Sequence, residues 1–274
     1  MSIKHVHLLP NVITAFGLSC GLFVIFRMTM TPLGQVTEQL LAQSAGILLL
    51  AALADLLDGA IARAMRAESD FGGFFDSLAD AITFGVGPSV VVLKTLSLIS
   101  GTTLSFLLTT AALLFSVSGV LRLVRFNVLA QEQKRDEQQL ALGKKFFSGL
   151  PIPASAAAIV SLNLFLASQE LPSGLALDES ERAGVLFVAL TLLSYLMISR
   201  WKFPSLKNLH IRVASFRVLL LTVVAAAFIF YGLLHRFSLF FFAISWGYLF
   251  FSLAFAIYCR FFGDKTAESE EEDE

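Results

Sequence analysis

Long apolar runs restrict this chain more than any other feature, lying near residues 12–30, 42–64, 71–93, 103–127, 152–168, 183–199, 215–234 and 238–261. A hydrocarbon layer about 30 Å thick takes about 20 residues of helix to cross, and these runs reach or approach that length. With 56% hydrophobic and 15% charged residues and a mean hydropathy of +0.76, the chain falls outside the range of ordinary soluble domains. The expected fold is all-α, a polytopic membrane bundle of about eight spans. A single membrane domain is expected over residues 1–262. The acidic tail 263–274, ending in "ESEEEDE", has the composition of a disordered segment. The first run follows Lys4 and is not succeeded by a small-x-small cleavage pattern after Cys20, so it reads as a retained helix.

Lysine and arginine in the connections set the expected orientation. One side receives Lys4, Arg66, Lys134, Arg135, Lys144, Lys145, Arg200, Lys202, Lys207, Arg212 and Lys265, the other little beyond Arg27, Lys94, Arg182 and Arg236. Such a bias predicts an even number of spans with both termini cytoplasmic. It also puts the end of the second span and the start of the third on the cytoplasmic side. The formal net charge of −1 gives no reason to expect a nucleic-acid partner. Cys20 and Cys259 lie in apolar stretches and form neither a disulfide framework nor a thiolate metal motif. His5, His7, His210 and His235 share no helical spacing that zinc could use.

Four aspartates interrupt the second and third runs: Asp55 and Asp58 in "DLLDGAIAR" (55–63), then Asp76 and Asp80. An ionised carboxylate at the centre of a bilayer costs roughly 2.5 to 3.5 kcal/mol even on lenient insertion scales, so something positive is expected among them. At about 100° per residue, Asp55, Asp58, Gly59, Ala62 and Arg63 share one arc of roughly 140°. Gly72, Asp76 and Asp80 recur every four residues and form a stripe on the next helix. A tight connection around 68–70 makes the two helices antiparallel neighbours and can bring the stripes together. Four carboxylates suit hard cations, Mg²⁺ or Mn²⁺, with Ca²⁺ as a third candidate, and suffice for two ions sharing ligands. A two-metal site is a phosphoryl-transfer device. Gly59 and Gly72 would leave room for a ligand to approach the backbone, and Arg63 would pair with phosphate. The bland alternative is that each aspartate is a structural hydrogen-bonding residue and each glycine a packing position. Four acids at these spacings argue against it.

The pattern D55-x-x-D58-G59-x-x-A62-R63-x8-G72-x3-D76-x3-D80 fixes eight positions over 26 residues. It resembles, position by position, the signature of the CDP-alcohol phosphatidyltransferases. That resemblance implies a six-helix catalytic core, here followed by two further C-terminal helices, a homodimer, and displacement of CMP from a CDP-linked lipid by an alcohol. It implies metal ligation by Asp55, Asp58, Asp76 and Asp80, with Asp80 also the general base. It further implies that Gly59, Ala62 and Gly72 make room for cytidine and that Arg63 contacts the diphosphate. Ser69 corresponds to a position near the nucleotide, and Asn11 and Thr14 of "LPNVIT" to a diphosphate contact.

The acceptor has to be read outside the signature. Arg122, Arg125 and Asn127 of "RLVRFN" (122–127) are candidates, because two arginines three apart on a helix offer a fork to an anionic acceptor such as an amino-acid carboxylate. Ordinary positive-inside anchors are the plain alternative. "RLVRFN", "FSGLPIP" (147–153), "DSLADAITFGVGPS" (76–89) and "SRWKFPS" (199–205) also resemble the bacterial phosphatidylserine synthase branch of the family. This implies CDP-diacylglycerol and L-serine as substrates, membrane lipids as surroundings, and a bacterial inner membrane with the active site facing the cytosol. Glycerol 3-phosphate and inositol phosphate remain rival acceptors. A cation- or proton-coupled transporter is the rival from another class, but it predicts acids spread over an inverted repeat, and none is present.

Overall fold

The computed structural model describes residues 8–65, 69–98, 101–133, 146–168, 170, 177–199, 202–204, 232 and 235–262. The run near 215–234, apart from Gly232, and the tail 263–274 lie outside them. The described elements are helices α1 (Leu8–Met30), α2 (Glu38–Ala64), α3 (Asp70–Asp80), α4 (Gly87–Thr95), α5 (Thr103–Gln133), α6 (Ile152–Ala167), α7 (Glu179–Ile198) and α8 (Phe237–Phe262), and strands β1 (Phe146–Ser148) and β2 (Lys202–Pro204). Among them, six stretches are long and apolar enough to cross a membrane: Leu9–Met30, Glu38–Ala64, Phe71–Thr95, Thr103–Val128, Glu179–Ile198 and Phe237–Ile257. The protein is a helical, multi-pass membrane protein, and its outer face agrees. Phe16, Phe23, Phe26, Leu113, Val188 and Phe251 stand exposed on it, where lipid rather than water is the compatible solvent.

Local signals start and stop the helices. Thr37 caps α2 by accepting from the Leu40 N–H at 3.2 Å, and Ser69 caps α3 by accepting from the Gly72 N–H at 3.0 Å. Asp178 and Glu181 form a capping box at α7. The 16-residue α6 is about 24 Å long, shorter than the expected span 152–168 needed to cross by itself. It compensates by position: Ile152, Ala158, Ile159 and Leu164 are buried, and the helix is surrounded by protein, against α2, α4, α7 and α8.

The third span is not the continuous α-helix that its sequence pattern suggests. Between α3 and α4, residues Ala81–Val86 widen into a π-turn, with the Gly87 N–H donating to the Ile82 carbonyl five residues back. Pro88 gives the reason. It has no N–H for the carbonyl four residues earlier, and its ring crowds that carbonyl, so the turn before it opens. The loosened backbone is re-satisfied by α5. The Ser116 hydroxyl donates to the Gly85 carbonyl at 3.0 Å, and the Ser89 hydroxyl, 2.9 Å from that of Ser116, reaches the Ala112 carbonyl at 3.0 Å.

A second departure from a purely helical plan is small. The stretches after α5 and before the last spans meet as an antiparallel ribbon, Phe146 opposite Pro204, Phe147 opposite Phe203 and Ser148 opposite Lys202. Gly149 turns the chain out of it with φ +84°, and a side chain there would run into the Met197 carbonyl and lie 3.1 Å from that of Ser199. The Leu150 N–H then donates to the Leu196 carbonyl at 3.1 Å, tying the entrance of α6 to the exit of α7.

Candidate active site

The amino-terminal half of α1, the carboxyl-terminal half of α2 and the whole of α3 come together at one end of the bundle. Carboxylate oxygens of Asp55, Asp76 and Asp80 lie within 4.8 Å of one another, all three side chains partly buried. They surround a void of about 10 Å³, which Asp58, Gly17 and Thr83 also line. That is about the room one water or one cation needs. Three clustered oxygen donors of negative charge, with no soft ligand among the lining residues, fit a hard divalent cation. Asp55 of α2 thus meets Asp76 and Asp80 of α3 across the void.

Asp58 is held differently from the other three. Only 4% exposed, it accepts the Thr14 hydroxyl at 2.5 Å and the Gly59 N–H, and it lies within electrostatic reach of Arg63. Thr14 has the Pro10 carbonyl at 3.1 Å as its other acceptor. A charge-assisted bond between α1 and α2 thereby fixes the carboxylate nearest the wall of the site. The positive partner demanded by the acids is supplied in part by Arg63 and in part by Arg122 of α5, which lies in electrostatic reach of Asp80.

A cleft of about 250 Å³ opens beside the acidic void and shares Thr14, Asp58 and Asp76 with it. Asn11, Gly59, Ala62, Arg63, Ser69 and Gly72, with Pro10 and Gly73, line the rest. All the residues that the resemblance assigns to the CDP-linked substrate line this one cleft. Its glycines face functional groups: a Cβ on Gly59 would sit 3.3 Å from Arg63 Nη1, and one on Gly72 would sit 3.0 Å from Ser69 Oγ and 3.2 Å from Asn11 Oδ1. Either substitution would press on the cleft's polar side chains. Ser69 has a second task, as the cap of α3.

The three acceptor candidates are not gathered into one fork. The Arg125 guanidinium donates to the Ile198 carbonyl at 2.9 Å, closing the end of α7. Asn127 donates to Ser77 Oγ at 2.9 Å and fastens α5 to the outside of α3. Of the three, Arg122 is the one in electrostatic reach of Asp80, as it is of Tyr248 of α8, and its buried Nε has no hydrogen-bond partner. Spacing alone could not separate these roles, because three residues apart on a helix specifies direction only to within about 60°. Sequence reasoning also missed Thr83, whose position depends on the π-turn. The available signal was Pro88, five residues downstream.

The acidic void and its cleft thus lie at one end of a helical membrane bundle, and the family model of CDP-alcohol phosphatidyltransferases matches residues 7–201. The chain belongs to that family. It is similar to a CDP-diacylglycerol–serine O-phosphatidyltransferase of Mycobacterium leprae, 36% identical over 159 residues, 58% of this chain and 47% of the relative. It is also similar to proteins of that name from Helicobacter pylori, 28% identical over 221 residues (81% of this chain, 82% of the relative). In Bacillus subtilis the likeness is 30% over 200 residues (73% and 92%). The chain spans about half the length of the mycobacterial relatives it matches.

Proposed function

We propose that this chain transfers the phosphatidyl group of CDP-diacylglycerol to the hydroxyl of L-serine, giving phosphatidylserine and CMP. The observation that carries the reading is the set of three carboxylates within 4.8 Å opening into a cleft that holds the remaining signature side chains. Serine as acceptor is supported by the names of the mycobacterial, H. pylori and B. subtilis relatives.

Asp55, Asp58, Asp76 and Asp80 would hold Mg²⁺ or Mn²⁺, two ions per site, which when bound supply charge neutralisation at the phosphate oxygens. Asp80 accepts the proton of the serine hydroxyl. The serine oxygen bonds to the β-phosphorus, which carries diacylglycerol, while the bond from that phosphorus to the bridging oxygen breaks and CMP leaves with the electron pair. Arg63, with Asn11 and Thr14, contacts the diphosphate, while Gly59, Ala62 and Gly72 make room for the cytidine and Ser69 lies near the nucleotide. Arg122 lies in electrostatic reach of Asp80, which supports its reading as the partner of the serine carboxylate, whereas Arg125 and Asn127 are engaged with Ile198 and Ser77.

The same proposal includes eight spans, with residues 215–234 as one of them, in a single catalytic domain over 1–262, and a cytoplasmic tail over 263–274. It includes a homodimer in a bacterial inner membrane, both termini and the cleft facing the cytosol. The test is CMP release by the purified protein with CDP-diacylglycerol and a panel of acceptors, followed by headgroup analysis of the lipid formed. Serine is expected to give the dominant product. Release with glycerol 3-phosphate or inositol phosphate, and only background with serine, would overturn the acceptor assignment.

A further inference from the structure

Thr83, with Ser252 of α8, departs from the other hydroxyl residues of these helices. Thr14, Ser44, Ser77 and Thr95 all place their hydroxyls on the carbonyl four residues back, the usual resort of such side chains in an apolar helix. Thr83 is 2% exposed, yet its Oγ1 is buried with no hydrogen-bond partner. The π-turn explains how it escaped the usual arrangement, because widening the helix at Ala81–Val86 changes where each side chain leaves the backbone. Packing then holds it in place. Gly21 of α1 lies so close that a Cβ there would run into the Thr83 hydroxyl oxygen and stand 2.8 Å from Cα and Cβ of Thr83. An unpaired buried hydroxyl is unfavourable unless something meets it. Thr83 also lines the acidic void, together with Asp55, Asp76 and Asp80.

We propose that Thr83 belongs to the cation site, its hydroxyl giving a fourth, uncharged oxygen to the void that the carboxylates of Asp55, Asp76 and Asp80 surround. A hydroxyl is suited to this because it presents lone pairs to a hard cation, or to water the cation carries, without adding a further negative charge to the cluster. Pro88 and Gly21 are then parts of the same device: one opens the turn that frees the hydroxyl, and the other leaves the space that lets Thr83 sit against α1.

The inference rests on the reading of the acidic cluster as a divalent-cation site, and its test separates the two. Purified wild type, Thr83→Val and Thr83→Ser are melted in detergent in EDTA and then in rising Mn²⁺ or Mg²⁺ alone, without substrate. Valine keeps the shape and removes the hydroxyl; serine keeps the hydroxyl. Thr83→Val is expected to melt near the wild type in EDTA and to need about tenfold more Mn²⁺ for half of the stabilisation, while Thr83→Ser stays within about twofold. Equal Mn²⁺ dependence in wild type and Thr83→Val would overturn the role of Thr83 alone. Thr83→Ser as impaired as Thr83→Val would overturn it too, assigning the effect to the methyl group. Should Thr83→Val fail to fold, Thr83→Ala is read by the same criteria. A wild type that no divalent cation stabilises would overturn the cation reading and this inference with it.

Discussion

The end of the bundle between α1, α2 and α3 and the seam where α7 meets α5 and α6 are built on opposite terms. The first is hollow and charged, with an acidic void, a cleft of about 250 Å³ and Asp58 fastened to Thr14. The second is filled: Phe115, Leu108, Leu186, Leu190 and Ile159 are fully buried. Lipid gives apolar helices little reason to prefer each other over acyl chains, so close packing has to hold the seam together. Charge placed there would cost several kcal/mol with nothing to offset it. The hollow end tolerates its carboxylates because Arg63 and Arg122 lie in electrostatic reach of them and the Thr14 hydroxyl bonds Asp58. Rigidity and chemistry are thus assigned to different helix contacts.

That division can be broken experimentally. Asp80→Asn is expected to lower turnover about 10²–10⁴-fold while leaving CDP-lipid binding largely intact, as read by CMP release and by ligand binding. Near-normal turnover would remove Asp80 as the base. On the filled side, Leu186→Ala is expected to destabilise the protein by about 2–5 kcal/mol in detergent melts, with turnover per folded molecule unchanged. A loss of turnover without a loss of stability would mean that the seam takes part in the chemistry. Between the two regions, Arg122→Lys is expected to raise the KM for serine about tenfold and to leave the KM for CDP-lipid alone. Smallest of all, Arg125→Ala should cost about 1 kcal/mol of stability, through the lost bond to the Ile198 carbonyl, with the serine KM within about twofold of wild type. If Arg125→Ala shifted the serine KM as strongly as Arg122→Lys, the separation of these two arginines would fail.

The acidic quartet, Gly59, Arg63 and Gly72 were legible in advance because helical periodicity is local: spacing of three and four puts residues on one face whatever the rest of the chain does. The cap formed by Ser69 was open to the same reasoning, as a serine before an apolar helix start. The acceptor residues were harder. Arg122, Arg125 and Asn127 differ in what they meet, not in their spacing, and those partners come from α7 and from other distant stretches of sequence.

By itself, then, the sequence determined a membrane bundle, the faces of its acidic helices and the family signature, since apolar run length and helical phase are properties of contiguous residues. Only the tertiary structure decided that Asp58 is held by Thr14 while Asp55, Asp76 and Asp80 cluster, and that Arg122, of the three acceptor candidates, comes within electrostatic reach of Asp80. It alone showed that the third span opens at 81–86 and leaves Thr83 beside the void. Those outcomes depend on which helices approach one another and on how the chain meets backbone hydrogen bonds that Pro88 forbids.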